Sequence, residues 1–391
     1  MGLVIVPESN RQQIRKAHWI MDTREQCAGR NNAAAGMTRR EFAGTLALAA
    51  AATAIGAEKK TSPLIWGDLL HFGTNMWGDD GITPGVHSYG GKQPSPPRKT
   101  LNFDETVWRR ITSELAKEGG NMVVVDVGDA MRCPSHPEIA LEDAWSPERL
   151  NAEVRRLKKL GLEPIPKLNF ATTHDQWLKI YNRMIGTPQY YRCVSGVIRD
   201  VAEAFEHPRF FHLGLDEEDF DQSYNFKGLG IFRRGTAWWR DLDFYCKCCD
   251  KAGSRPWIFS DYFCSWPDDF IKNCPRSVVQ SPWYYKTGYD KKPDSEHKGA
   301  NRFWKKKLEA SAKLADAGFD VIPCGSNFFD DASFEGFVDY CERNVSSSRI
   351  LGYLMAPWAF TLPGTTEKKN LAAVKQLGDA RRKVEKNRKG V

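Results

Sequence analysis

The sequence predicts an α/β fold, a closed (β/α)8 barrel of the TIM type, on three observations. From Leu64 onward strand-like apolar runs alternate with helical patterns, about eight of each. The runs are nearly continuous in hydrophobicity, as in parallel strands covered by helices, rather than alternating apolar with polar. The 391 residues exceed the usual single core, yet a barrel of about 250 residues with insertions accommodates them as one domain.

The elements follow in order. A first strand is expected over 68–77, and the Pro-rich stretch 81–99 reads as an extended loop over the barrel mouth. A helix over 103–120 carries Val107, Ile111 and Leu115 on one face and stops at Gly119-Gly120 before a strand over 121–127. Ser146, Pro147 and Glu148 supply an N-cap, a first-turn proline and a first-turn acid; Leu150, Val154, Leu157 and Leu160 mark the buried face until Gly161. The third strand is expected over 164–170. A long excursion, 171–208, holds a helix over 188–205 before the fourth strand, 210–215. Strands five to eight are expected over 256–262, 277–284, 320–327 and 350–358. A helix with Trp304, Leu308, Ala312 and Ala315 on one face ends at Gly318, before the seventh. No internal repeat, coiled coil or low-complexity linker interrupts the pattern.

Composition narrows the function. Hydrophobic content of 41% sustains a sizeable core, and thirteen tryptophans suit either that core or sugar-stacking faces. The net charge of +7 is spread along the chain, and its basic stretch over 368–389 reads as a solvated helix face, which argues against nucleic acid as a partner. Of ten cysteines, Cys27 lies upstream of the segment described next. Cys246, Cys248 and Cys249 fall inside a helical pattern without a second ligand pair at zinc spacing, so they read as buried thiols. Cys264 and Cys274 flank a short segment and could form a disulfide.

Arg39 and Arg40 precede an apolar, Ala-rich run over 46–57, the pattern of a twin-arginine export signal. The run is too short for a membrane span, and small residues at Ile55-Gly56-Ala57 offer a cleavage site. Residues 1–57 are therefore expected to be an N-terminal extension and signal, with Met37 a candidate start, and 58–391 the barrel. The partners implied are the twin-arginine machinery and no stable membrane anchor; the location is periplasmic or secreted.

Catalytic groups in such a barrel sit at the C-terminal strand ends. Those ends collect His71, Asn75, Trp77, Asp126, Asp129, Lys167, Asn169, His174, Asp216, Glu217, Asp261, Tyr262, Trp283, Tyr284, Tyr285, Asn327, Asp330, Asp331 and Trp358. Acids, tryptophan and tyrosine dominate, few glycine-rich phosphate cradles appear, and no metal triad stands at helical spacing, so no cofactor or metal is expected. Aromatic rings take the apolar faces of a sugar while acids and amides take its hydroxyls, so a glycan or oligosaccharide substrate fits best. The fourth strand ends in Asp216, Glu217, Glu218 and Asp219. Crowded carboxyls hold on to protons, and a carboxylic acid protonated near neutral pH is a general acid. A solvated acidic loop or a cation site is the alternative reading.

His212-Leu213-Gly214-Leu215-Asp216-Glu217 resembles the His-x-Gly-x-Asp-Glu signature of family 20 glycoside hydrolases, the β-N-acetylhexosaminidases. Residues 161–169 with His174 resemble that family's third strand and its Pro-Gly-His loop, 201–211 the helix leading into the signature, and 351–358 its tryptophan-bearing eighth strand. The resemblance implies Glu217 as general acid and Asp216 as the group that holds a 2-acetamido substituent, whose carbonyl oxygen attacks the anomeric carbon. The expected resting pair is Asp216 ionised beside Glu217 protonated. His174 would orient the pair, and Trp283 and Trp358 would wall the sugar pocket. Asn169, Asp261, Tyr284 and Asp330 complete the expected substrate contacts. Glu218 and Asp219 are assigned to the loop, where they would help hold the proton on Glu217.

The chain departs from that family at named places. Lys167 and Asn169 replace a pair of acids, Phe328-Phe329 replaces a tyrosine, Phe360 replaces an acid, and the strand-one arginine has no clear counterpart. Two other readings follow: a glycosidase with Asp261 or Asp330 as a separate nucleophile or base, and a non-catalytic sugar-binding barrel.

Overall fold

The computed structural model describes residues 63–78, 96–218, 231–287, 298–330 and 332–389. The export segment, Cys27, most of the Pro-rich loop, Asp219 and Asp331 lie outside the described residues.

The chain alternates strand and helix: β1 (Ile65–His71), α1 (Glu105–Lys117), β2 (Met122–Asp126), α2 (Pro147–Lys159), β3 (Glu163–Lys167), α3 (Pro188–Ala204), β4 (Phe210–His212), α4 (Thr236–Lys251), β5 (Arg255–Phe259), the short α5 (Asp261–Ser265) and α6 (Pro267–Asn273), β6 (Val279–Ser281), α7 (Lys298–Asp316), β7 (Cys324–Gly325), α8 (Ser333–Asn344), β8 (Gly352–Met355) and α9 (Thr365–Lys389). All paired strands are parallel, in the order β6-β5-β4-β3-β2-β1-β8-β7. Isolated parallel bridges, Gln280 to Val321 and Trp283 to Cys324, bring β6 and β7 together and close the ring. The fold is the (β/α)8 barrel that the alternation predicts.

The helix punctuation has the expected geometry. Ser146 Oγ accepts the Arg149 N–H at 3.2 Å, and Asp104, one residue inside the expected start, caps α1 by accepting from Val107 N at 2.9 Å. Gly161 and Gly318 take φ of +80° and +88°, left-handed positions that glycine adopts without strain as each helix turns toward the next strand.

The strands end earlier than hydropathy suggests. β1 stops at His71, and Asn75–Trp77 forms a single 3-10 turn; β5 stops at Phe259, and Asp261 opens a helix. At the mouth the chain stays apolar because Phe72, Met76, Tyr262 and Phe263 are buried against their neighbours, so hydrophobicity outlasts the hydrogen-bonded ladder.

Alternation sorts the strand residues into two cores. Ile65, Leu69, Val124, Ile165, Phe210, Trp257, Phe259, Val279, Ile322 and Leu354 fill the barrel, while Trp66, Leu70, Val123, Val125, Phe211, Ile258 and Tyr353 pack outward against the helices. The upper interior layer carries charge. His71, Asp126, Lys167 and His212 stand opposite one another across β1, β2, β3 and β4 in strict register, all fully buried. Lys167 Nζ lies 2.6 Å from Asp126 Oδ2, and His71 Nδ1 lies 3.4 Å from the same oxygen. Burial, then Lys167, hold His212 well below the ordinary histidine value; burial also lowers His71 against the pull of Asp126. Asp126 and Lys167 thus belong to the barrel interior rather than to the substrate-facing rim.

The described cysteines are free thiols, Cys264 and Cys274 included, so the possible disulfide between them is not formed. Burial raises the Cys248 thiol to about 11 and Cys249 further, as befits inert core thiols. Among the described residues no helix is long and apolar enough to cross a membrane.

Candidate active site

β4 contributes three ladder residues, and the chain then leaves the sheet through a turn of unusual conformation. Gly214, Leu215 and Glu217 take φ of +70°, +63° and +52°. Positive φ is rare outside glycine and costs about 1–3 kcal/mol per residue, so it persists only where surrounding contacts enforce it. Those contacts are visible. His212 Nδ1 accepts the Gly214 N–H at 3.0 Å, and Asn169 Oδ1 accepts the N–H of Leu215 at 3.3 Å and of Ala171 at 3.0 Å. A Cβ on Gly214 would stand 2.1 Å from Asn169 Oδ1, so glycine is required by space as well as by conformation.

The turn aims two carboxyls at the mouth. Asp216 Oδ1 accepts from Asn169 Nδ2 at 2.8 Å. Glu217 Oε2 lies 3.5 Å from His174 Nε2, and His174 Nδ1 is 2.6 Å from the Thr173 hydroxyl, which fixes the ring. One nitrogen and two carboxylate oxygens of His174, Asp216 and Glu217 fall within 4.8 Å of one another, the grouping among the described residues that could hold a metal ion.

Glu218 does not act as a loop charge beside Glu217. It is buried and committed to the opposite direction: its Oε1 pairs with Arg233 and its Oε2 accepts from Trp238 Nε1. Arg233 also contacts Asp241 at 3.2 Å and donates to Tyr245 Oη at 2.7 Å. Its guanidinium neutralises Glu218, which anchors the far end of the acidic turn to α4.

An aromatic wall faces the acids. Trp358, itself at φ +50°, has ring centroids 6.3 Å from Tyr285, 6.1 Å from Phe259, 6.4 Å from Trp77 and 5.8 Å from His71. Trp77 reaches His174, centroid to centroid 6.5 Å, and so joins the wall to the acidic side.

The remaining expected contacts are placed differently. Trp283 and Tyr285 continue the inward set of β6, whereas Tyr284 points outward, 5.7 Å from both the Trp304 and Phe337 rings, and lies behind the wall. Trp283 stacks on Tyr285 at 4.8 Å, and the Lys307 ammonium stands 3.7 Å from its centroid. Ring and ammonium cannot share one indole face, so both faces of Trp283 are covered, and it is Tyr285 whose ring adjoins Trp358. Asp261 is buried with both oxygens engaged, Oδ1 by Lys307 and Oδ2 by Trp283 Nε1 at 2.9 Å. Asp330 is partly exposed at the rim, where it accepts from Ala332 N and Thr287 Oγ1, both 2.8 Å away; these bonds lower its carboxyl below the usual value. Tyr262 and Asn327 serve the scaffold, the first bonding Asp269 at 2.8 Å and the second the Lys369 carbonyl at 3.1 Å. Asn75 donates to Asp129 Oδ2 at 2.7 Å, and burial raises Asp129 to about 6.

Lys307, Arg233 and Trp238 are the site-supporting residues that sequence reasoning missed. For the lysine and the arginine no local signal distinguishes them from solvated charges. For Tyr284 and Tyr285 a signal exists: the period-two phase set by Val279 and Ser281 reaches Trp283 and Tyr285 and skips Tyr284.

No protein-family model matches the chain, and no curated protein matches it. Among solved structures, it is similar to the GH20 β-N-acetylhexosaminidase of Streptomyces coelicolor A3(2), with a TM-score of 0.52, 12% identity, and 81% of this chain and 64% of that one covered. The N-acetyl-β-hexosaminidase of Streptomyces plicatus gives a TM-score of 0.50 at 13% identity over 81% of this chain and 64% of that one. The pneumococcal virulence factor StrH, a protein of N-glycan recognition and hydrolysis, gives 0.50 at 12% identity over 82% and 85%. The chain spans just under two thirds of the length of the two Streptomyces enzymes. At such identities the likeness is one of fold, and the fold these neighbours share with this chain is the parallel eight-stranded α/β barrel.

Proposed function

We propose that the chain is an exported glycoside hydrolase that cleaves terminal N-acetylhexosaminides by substrate-assisted catalysis. The observation that carries this reading is the strained turn of Gly214 to Glu217, which brings Asp216 and Glu217 to the barrel mouth under the restraint of Asn169, His212 and His174. Glu217 donates its proton to the glycosidic oxygen as that bond breaks. The acetamido carbonyl oxygen of the substrate bonds to the anomeric carbon, and Asp216 accepts the acetamido N–H. Water then attacks the anomeric carbon, breaking its bond to the acetamido oxygen and giving its proton to the Glu217 carboxylate, so the acetamido group and the acid are regenerated and configuration is retained. Trp358, Tyr285 and Trp77 hold the sugar ring.

The engagement of Asp261 and Asp330 with other groups supports the substrate-assisted route over one with either of them as nucleophile. Asp261 is held on both oxygens, and Asp330, partly exposed at the rim, is bonded to Ala332 N and Thr287 Oγ1. The likeness in fold to GH20 β-N-acetylhexosaminidases supports the substrate class, and Arg39-Arg40 before the Ala-rich run supports twin-arginine export.

Glu217→Gln is expected to lower turnover of aryl N-acetylhexosaminides by about 10²–10⁴-fold while the thermal melt is preserved. Near-normal activity in that variant would sink the assignment. Tight binding of oligosaccharide by the wild-type chain, without hydrolysis across a glycan panel, would instead make it a sugar-binding barrel.

A further inference from the structure

A second cavity opens at the mouth, on the side of β1, β2 and β3. Its volume is about 430 Å³, within the range of about 300–1,000 Å³ that small-molecule clefts occupy. Asn75 and Asp129, both buried, form its floor, while Arg98, Lys99, Lys179 and Arg183 line it with the exposed Ile180 among them. Four cations there face two acids, Asp129 and Glu142. Two stretches tie this cavity to the acidic turn. Asn75 opens the 3-10 turn that ends in Trp77, and Gln176, also in the cavity wall, stands two residues beyond His174. The Trp77 and His174 rings lie 6.5 Å apart, and His174 reaches Glu217 at 3.5 Å.

The cations are placed by the backbone that carries them. Asn75 Oδ1 accepts the Arg98 N–H at 2.8 Å while Asn75 Nδ2 donates to the Arg98 carbonyl at 2.9 Å, so one side chain grips that segment on both its groups. The Glu142 N–H donates to the Lys99 carbonyl at 2.9 Å, and Asp143 Oδ1 accepts from Leu101 N at 2.8 Å. Lys179 stands at φ +51° and ψ −127°, a conformation that residues other than glycine keep only under restraint. Its Nζ donates to the Glu138 and Ala140 carbonyls at 2.9 and 3.0 Å. Those acceptors are neutral, so the ammonium keeps its charge; among the described residues no carboxylate pairs with Arg98, Lys99 or Lys179.

We propose that this cavity is a leaving-group subsite for an acidic sugar, whose ring lies against Ile180 and whose anionic substituent is taken by Arg98, Lys99 and Lys179. The inference deepens the hydrolase reading and rests on Glu217 being the general acid. A general acid faces the oxygen that departs, so the departing sugar extends from the Glu217 side of the mouth. His174 and Trp77 stand on that side, and the cavity adjoins the stretches that carry both. A neutral sugar would leave the unpaired cations unused, and a bare inorganic anion would leave Ile180 unused. A sugar ring bearing a carboxylate or a sulfate uses both.

The test gives the full chain three disaccharides of one linkage, an N-acetylhexosamine joined to a neutral hexose, to the matching hexuronate or to the matching sulfated hexose, with an aryl N-acetylhexosaminide as reference. The expected result is a kcat/KM on at least one acidic disaccharide about tenfold or more above that on the neutral one, carried mainly by KM. The excess is expected to shrink as salt is raised. The double variant Arg98→Gln with Lys99→Gln, and separately Lys179→Met, are each expected to bring the acidic-to-neutral ratio toward one, with thermal melts confirming the fold. A preference for the hexuronate alone makes the recognised group a carboxylate, for the sulfated sugar alone a sulfate, and for both an anion of either kind. Equal kcat/KM on all three disaccharides, or a preference that survives these variants, would overturn the subsite while activity on the aryl substrate keeps the hydrolase reading intact. A chain inactive on the aryl substrate and the disaccharides alike would remove that reading and this inference together.

Discussion

Asn169 and Asp216 are joined across β3 and β4 by an N–H···O bond of 2.8 Å, and the same amide presents its oxygen to the Leu215 N–H at 3.3 Å. One side chain therefore fixes both the backbone of the acidic turn and the direction of its first carboxylate. Asn169→Ala is expected to lower kcat on aryl N-acetylhexosaminides by about 10–100-fold, since a small misplacement of a catalytic group costs about that much. Asn169→Asp sets a like charge against Asp216 and is expected to be worse. Steady-state kinetics with a parallel thermal melt separates misplacement from unfolding.

The Lys167–Asp126 pair inside the barrel makes a second prediction. Lys167→Met removes the cation 2.6 Å from a fully buried carboxylate and is expected to cost about 3–5 kcal/mol, read from urea unfolding. Adding Asp126→Asn removes the stranded charge and is expected to recover much of that loss. If the double variant is no more stable than the single one, the carboxylate was not the source of the penalty.

His212 makes the third, in the pH dependence of stability. The folded protein keeps this imidazole neutral, through burial first and Lys167 second, whereas the unfolded chain protonates it near the ordinary value of about 6.5. Below that pH the unfolded state binds more protons than the native state, so stability present above about pH 6.5 is lost as pH falls. His71 has the same sign, and Asp129, raised to about 6, has the opposite sign from about pH 6 down to the carboxylate range. The readout is therefore a difference. His212→Asn, whose Oδ1 can replace Nδ1 in accepting the Gly214 N–H, is expected to lose less stability than the wild type between pH 7.5 and pH 5.5 in denaturant titrations. An identical loss would mean that His212 does not titrate in this way.

Legibility followed distance along the chain. The eight strand positions and the glycine stops were readable because each signal lies within one stretch, a periodicity or a cap, whereas the grouping of Asn169 and His174 with Asp216 and Glu217, some forty residues apart, followed from the strand-end rule of the barrel and the family resemblance. Strand ends were overextended because Phe72, Tyr262 and Tyr284 remain apolar where the ladder has finished. Lys307 was illegible because a Lys305-Lys306-Lys307 run on a helix looks like a solvated face, and only the third of these turns inward. Glu218 was misread for the same reason in reverse: its partner Arg233 lies fifteen residues away in sequence, across a segment without motif.

The barrel is unequal around its circumference. β1, β2 and β3 run seven, five and five residues with the long registers, whereas β6, β7 and β8 have three, two and four, and β6 meets β7 only through isolated bridges. The acidic turn leaves the three-residue β4 but is braced by Asn169 and His174 from the chain after β3, while Tyr285 follows β6 and Trp358 follows β8. Substitutions beyond β6 and β8 can thus reshape the aromatic wall with little disturbance to the hydrogen bonds that set the acidic turn.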